Sequence, residues 1–129
     1  MKYVYPIVLS KCSNGQYLVH VPDFDTDTEG KDLADAIDMA KDAIGQLGCY
    51  YQDIKKDIPQ ACDINSIQTT GNEIKTLVDV DFLEYRRKHD KRTVRKNCTI
   101  QSWLNYEAER AGINFSAVLQ DALKNKLGY

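Results

Sequence analysis

The sequence predicts an α+β protein in which an antiparallel sheet covered by one helix is followed by a small strand-helix-helix unit. Three observations predict it: two β-rich runs flanking an Asn-Gly turn, a long segment with apolar residues three and four apart, and a change in the sign of the charge at Tyr85. Residues 1 to 84 hold 15 acidic and 7 basic side chains, net −8, whereas residues 85 to 129 hold 4 acidic and 10 basic, net +6. The expected organisation is a domain over 1–84, a basic linker over 85–92 and a second domain over 93–129. An acidic body suits a basic protein partner, and a basic tail suits phosphates.

Tyr3 to Leu9 and Tyr17 to Val21 are rich in β-branched and aromatic residues and flank Ser13-Asn14-Gly15, so the chain should open with a β-hairpin. Pro6 cannot donate to a ladder, which puts the first strand at an edge there or turns its nitrogen outward. His20 reads as a strand residue rather than a ligand. Asp23 to Gly30 reads as an acidic loop. Leu33, Ile37, Ala40, Ile44 and Leu47 then mark an amphipathic helix, with Ala36, Met39 and Ala43 widening its stripe. Asp32 should cap it and Gly48 should stop it, while Gly45 costs about 1 kcal/mol against Ala. Residues 49 to 74 carry less signal: a short strand from Ile58-Pro59 and a turn at Thr70-Gly71-Asn72. Ile74 to Val80 reads as a third strand, with Ile74, Leu77 and Val78 as its apolar content, and Phe82 to His89 as a short helix leaving the sheet.

From Tyr85 to Lys96 there are seven Lys or Arg against one Asp, which marks the linker. His89 within it reads as an exposed polar residue. In Val94 to Ile100 a period of two places Val94, Lys96, Cys98 and Ile100 on one face and Arg95, Asn97 and Thr99 on the other. A helix carrying Ile100, Leu104, Ala108 and Ala111, with Trp103 beside them, ends at Gly112. A second helix, capped by Asn114, carries Phe115, Val118, Leu119, Ala122, Leu123 and Leu127. Residues 91 to 129 number 39, close to the roughly 40-residue limit below which a chain seldom folds alone, so this unit should be a dimer. Pairing the strand with its symmetry mate gives a two-stranded ribbon over four helices, a shape that fits the major groove.

This segment resembles the ribbon-helix-helix DNA-binding fold of the Arc and MetJ repressor class. The resemblance implies that Arg95, Asn97 and Thr99 face the bases, and that Asn114, Phe115 and Ser116 offer helix N-terminal amides to a phosphate, as the helix dipole favours. The sequence departs from the pattern at Gln101, where relatives often place proline, and at Lys96, which snorkels from the apolar face or contacts the DNA backbone. Tyr5-Pro6, Val21-Pro22-Asp23-Phe24 and Thr28-Glu29-Gly30 running on through Ala40 resemble the HicB antitoxin family. That resemblance implies a partial RNase H-like N-terminal domain that binds a HicA-type mRNA-cleaving toxin, a C-terminal domain on operator double-stranded DNA, repression of the shared operon, and a homodimer or higher oligomer.

Cys12, Cys49, Cys62 and Cys98 are widely spaced and form no C-x-x-C pair, so they read as four separate thiols. The opening MKYVYPIVLS matches a signal peptide poorly and no apolar run suits a membrane, so the expected location is the bacterial cytoplasm, at the nucleoid when operator-bound. Asp23, Asp25, Asp27 and Glu29 raise the alternative of a metal-dependent nuclease, yet they crowd one loop, whereas two-metal sites draw acids from several elements. A further alternative is a stand-alone repressor that senses a small molecule. Nothing in the sequence requires catalysis, a metal or a cofactor.

Overall fold

A computed structural model describes residues 2–129, which divide into one compact unit ending at Lys91 and a second over Arg92–Tyr129. The first opens with the expected hairpin, β1 (Lys2–Lys11) and β2 (Tyr17–Val21). Positive φ in its turn falls on Gly15 alone (86°), while Asn14 Oδ1 accepts from the Gln16 amide at 3.1 Å. This matches a type I turn closed by one left-handed glycine. β2 pairs with β1 only over Val8–Lys11, so Pro6 lies where β1 has a single neighbouring strand.

The stretch expected as an acidic loop is not one. A 3-10 turn at Pro22–Phe24 and a left-handed Asp25 (φ 46°) lead into β3 (Thr26–Gly30), paired antiparallel with β2. The strand was hidden because Thr26 and Thr28 alternate with Asp27 and Glu29, so it lacks the apolar alternation that marks a half-buried strand. Its register with β2 turns the two acids away from the helix-covered face.

The covering helix α1 (Leu33–Asp53) is capped as expected: Asp32 Oδ1 accepts from the Asp35 amide at 2.8 Å, and Asp35 accepts in return from the Lys31 amide at 2.9 Å. Its buried row is Ala36, Ala40, Ile44, Gly45, Gly48 and Cys49. Gly48 therefore does not stop the helix. A Cβ there would overlap the Phe82 ring, and one at Gly45 would overlap the Tyr85 ring, so both glycines serve close approach. Leu33 and Met39, expected in the stripe, are 40% and 38% exposed, because the small residues form the contact row and these larger ones flank it.

No strand forms at Ile58-Pro59. The connection over residues 54–72, containing a 3-10 turn at Ile64–Ser66, is tied down by side chains instead. The Tyr5 hydroxyl donates to the Pro59 carbonyl (2.8 Å), the Cys62 amide donates to Asp23 Oδ1 (3.0 Å), and Lys75 Nζ donates to the Ile64 and Ile67 carbonyls (3.2 and 3.1 Å). The turn at Thr70-Gly71-Asn72 forms, with Gly71 at φ 58°. β4 (Glu73–Asp81) follows and pairs with β1 from Lys2↔Asp81 to Ser10↔Glu73. The sheet has four strands, one more than expected, in the order β3-β2-β1-β4. Val78 and Val80 of β4 are buried, while Leu77, out of phase with them, and Ile74, near the strand end, are exposed.

The core joins Tyr5, Ile7 and Leu9 to Val19, Val21, Phe24, Val78 and Val80 beneath the α1 row, with Phe82 closing one end. α2 (Phe82–His89) is capped by Asp81 Oδ1, which accepts from the Leu83 and Glu84 amides at 3.0 and 3.2 Å. Phe82–His89 is thus the short helix expected of it, so residues 85–89, which charge also put in the linker, belong to this helix, and Arg86 Nη2 donates to the Cys49 carbonyl and to Asp53 Oδ1, both at 2.8 Å.

In the second unit α3 (Ser102–Arg110) ends at Gly112 (φ 69°), and α4 (Phe115–Leu127) is capped by Asn114 Oδ1, which accepts from the Ala117 amide at 3.1 Å. α3 starts two residues after Ile100, the first apolar position of the expected pattern. Val94–Ile100, expected as a strand, carries no ladder, since a strand needs a neighbour and the single chain supplies none here.

Gly48→Ala should lower the stability of the first unit by about 1–3 kcal/mol, the usual range for overpacking, even though alanine favours helix. Urea unfolding monitored by circular dichroism measures this; an unchanged midpoint would contradict the close approach.

Candidate functional site

The second unit places its sequence-predicted residues on an open surface. Arg95, Lys96, Asn97 and Thr99 are all exposed, as are Asn114, Phe115 and Ser116. The first-turn amides of α4, at Phe115 and Ser116, have no intrahelical acceptor, as at any helix start, while Asn114 satisfies Ala117. Lys124 and Lys126 lie in the last turn, where they complement the other end of the dipole. No side chain of α3 or α4 is buried: Trp103 is 64% exposed, Val118 55% and Leu123 52%. A two-helix unit with its whole apolar stripe in solvent has no core of its own.

The first unit disperses the four acids that crowd the sequence between 23 and 29. Asp23 turns inward to the Cys62 amide, with its Oδ2 buried and without a hydrogen-bond partner. Asp27 pairs across the ladder with His20 (Nδ1 to Oδ1 2.7 Å), and Glu29 is exposed on β3. Among the described residues no group of three or more His, Cys, Asp or Glu is arranged to hold a metal ion, so the geometry lends the nuclease alternative no support. Beside β3 runs a groove of about 450 Å³ against α1, with β3 from Thr26 to Thr28 as one wall and Met39, Asp42, Gln46, Leu47 and Tyr50 on the other.

A second polar cluster joins α1 to α2. The Tyr85 hydroxyl donates to Asp42 Oδ1 at 3.1 Å, and His89 stacks on the Tyr85 ring at 4.0 Å with its Nδ1 2.9 Å from the Tyr85 carbonyl. Burial, then the bond to Asp42, pushes the Tyr85 phenol up to about 12, so it stays a neutral donor at physiological pH. Burial likewise pushes the Tyr5 phenol up to about 12, with Tyr3 and Asp23 adding to it. Burial also raises the Cys49 thiol, and burial followed by the Asp23 charge raises the Cys62 thiol; neither is an activated nucleophile.

The family model described as HicB_like antitoxin of bacterial toxin-antitoxin system matches residues 5–122. The chain belongs to this HicB-like antitoxin family. Among solved structures, the antitoxin is similar to a chain of the toxin-antitoxin complex from Streptococcus pneumoniae: 26% identity over 98% of this chain and 99% of that one, at a TM-score of 0.62. It shares its fold with the Burkholderia pseudomallei antitoxin HicB, at 20% identity over 97% of this chain and 96% of that one, with a TM-score of 0.55. None of the curated proteins matches it. Among its described residues, no helix is long and apolar enough to cross a membrane.

Two features of this HicB-like antitoxin escaped the sequence. One is the clamp by which Arg86 holds the last turns of α1, hidden because Arg86 sits in a basic run that reads as linker. The other is the edge strand β3, hidden by its polarity.

The carboxylates that hold turns and caps make the stability of the first unit depend on pH at the acid end. The Glu84 amide holds Asp81 below its ordinary 3.8, the Thr70 amide and hydroxyl hold Glu73 below 4.5, and a backbone hydrogen bond followed by Lys41 holds Asp79 below 3.8. A carboxylate lowered on folding stabilises the folded state above its unfolded value, and that contribution is lost as pH falls through the folded value. Unfolding midpoints in urea should therefore be level above about pH 5 and fall steadily below about 4.5. Asp81→Asn should flatten part of this decline, and an unchanged slope would remove the cap from the account.

Proposed function

We propose that this antitoxin neutralises a HicA-type mRNA-cleaving toxin through its N-terminal domain and represses its own operon through a C-terminal ribbon-helix-helix dimer. The N-terminal domain is read as a partial RNase H-like fold, with its net charge of −8 over residues 1–84 steering a basic partner. In the dimer, Val94–Ile100 pairs with its symmetry mate. Arg95, Asn97 and Thr99 then face base edges, Lys96 contacts the DNA backbone, and Asn114, Phe115 and Ser116 receive a phosphate at the start of α4. The reading needs no metal, cofactor or catalytic residue.

One observation carries this reading furthest. Every large hydrophobic residue of the second unit, from Val94 to Tyr129, is exposed in the single chain. Apolar surface on that scale, in a unit too short to fold alone, calls for a partner of the same kind. A second copy covers α3 and α4 and supplies the missing strand in one step. The match to a family model over residues 5–122 supports the antitoxin half, and the similar chain of the Streptococcus pneumoniae complex is that of a protein solved as part of a toxin-antitoxin complex.

Binding to the operon's own upstream DNA tests the repressor half. Arg95→Ala and Asn97→Ala should each remove about 1–3 kcal/mol of discrimination between operator and unrelated DNA, whereas Lys96→Ala should weaken both about equally and reduce the salt dependence. Equal weak binding by all variants and wild type would reduce the tail to a basic surface. The dimer has its own readout: Cys98 shares the inward face of the ribbon with Val94 and Ile100, so its alkylation should slow as protein concentration rises. A rate independent of concentration would contradict the ribbon. Co-expression with the adjacent toxin gene tests the other half, with rescue of growth and co-purification as the expected outcome.

A further inference from the structure

We propose that the free edge of β3, together with the groove between β3 and α1, docks an extended, alternately basic and apolar segment of the toxin as a fifth strand. This rests on the antitoxin reading above and names the surface that reading leaves open.

β3 is the last strand of the sheet. Its inner edge is paired with β2 from Val21↔Thr26 to Tyr17↔Gly30, and among the described residues no strand lies on its outer edge. A free edge presents unpaired amides and carbonyls and is a template for one more strand. The opposite edge, at β4, differs, because Lys75 reaches across to the Ile64 and Ile67 carbonyls and holds the 54–72 connection beside it.

The side chains around β3 define what fits. On one face the α1 wall of the groove offers Met39, Leu47 and Tyr50, with Met39 38% and Tyr50 55% exposed, interrupted by Asp42 and Gln46, and no Lys or Arg lines it. On the other face stand Asp27 and Glu29, two residues apart, with His20 hydrogen-bonded to Asp27 across the ladder. A second copy of β3 would lay this acidic row against itself, and like charges facing across strands are destabilising. The occupant is therefore a foreign strand whose alternate side chains are Lys or Arg, opposite Asp27 and Glu29, with the intervening side chains apolar and directed into the groove.

The test uses the full-length antitoxin and the toxin encoded beside it. The first variant, Asp27→Lys with Glu29→Lys, reverses the edge charge; the second, Met39→Asp, alters only the groove from an exposed helix position. Calorimetry should show each binding the toxin about tenfold or more weakly than wild type, while operator binding is retained. Amide hydrogen exchange should show the alternate amides of residues 26–30 that face away from β2 becoming protected in the wild-type complex, while those paired with β2 are protected already in the free protein. Affinities within about twofold of wild type in both variants would overturn the proposal. So would protection confined to other segments, or protection of 26–30 that grows with antitoxin concentration without toxin, which would make the edge a self-association site. If wild type binds no toxin, the antitoxin reading itself falls, and this surface with it.

Discussion

The closeness of α1 to its neighbours is the constraint on which the first unit depends. Ala36, Ala40, Gly45 and Gly48 leave the helix backbone as the contact surface, so the ring of Phe82 and the ring of Tyr85 rest where side chains would otherwise stand. That approach brings Cys49 Sγ within 3.6 Å of the Phe82 carbonyl and sets Arg86 within reach of the last turns of α1. The aromatic series Tyr3, Tyr5, Phe24 and Tyr51 then fills the end of the core by edge and offset contacts, with ring centroids 5.0 to 6.3 Å apart. Two glycines that cost helix propensity are thus what lets the α1–α2 corner and the sheet share one interior.

Much of this is legible in the residues. Asp32 and Asn114 announce two helix starts, Asn14-Gly15 announces the hairpin, and the spacing of Leu33, Ile37, Ala40, Ile44 and Leu47 announces the covering helix, because caps, turns and periodicity are local physics. What was not legible depends on contacts between distant parts of the chain. Gly48 reads as a stop until Phe82 is known to lie on it, and Tyr85 and Arg86 read as the start of a charged linker until α1 is known to receive them. β3 is the instructive case: Thr26, Asp27, Thr28 and Glu29 alternate with the period of a strand, but without an apolar residue on either face, so only its pairing with β2 reveals it. At the candidate sites, Arg95, Asn97 and Thr99 are exposed, but so are Val94, Lys96, Cys98 and Ile100 of the opposite face, so the single chain does not separate the two faces of the sequence pattern; the groove beside β3 has no sequence signal, since it is made from two elements.

Charge is distributed by unit more than by residue number. Arg86 belongs to the basic run in sequence, yet its guanidinium is committed to Cys49, Gln52 and Asp53 within the acidic unit. From Arg92 onward there remain six Lys or Arg and three acids. The second unit by itself thus carries a net charge of +3, half of the +6 that residues 85–129 carry together.

The ladder between β1 and β4 also orders events in time. It joins Lys2 to Asp81 and Ser10 to Glu73, so the interior strand of the sheet finds its longest partner only after more than sixty further residues have been made. Contacts of such sequence separation close slowly, because the loop entropy is spent before the contact forms. During synthesis, the hairpin of β1 and β2 waits with one long edge uncovered until residue 81 has left the ribosome, and the core closes only when Phe82 and the rest of α2 follow. A chain cut short before β4 retains three strands and the covering helix but lacks Val78, Val80 and Phe82, and with them one wall of the core.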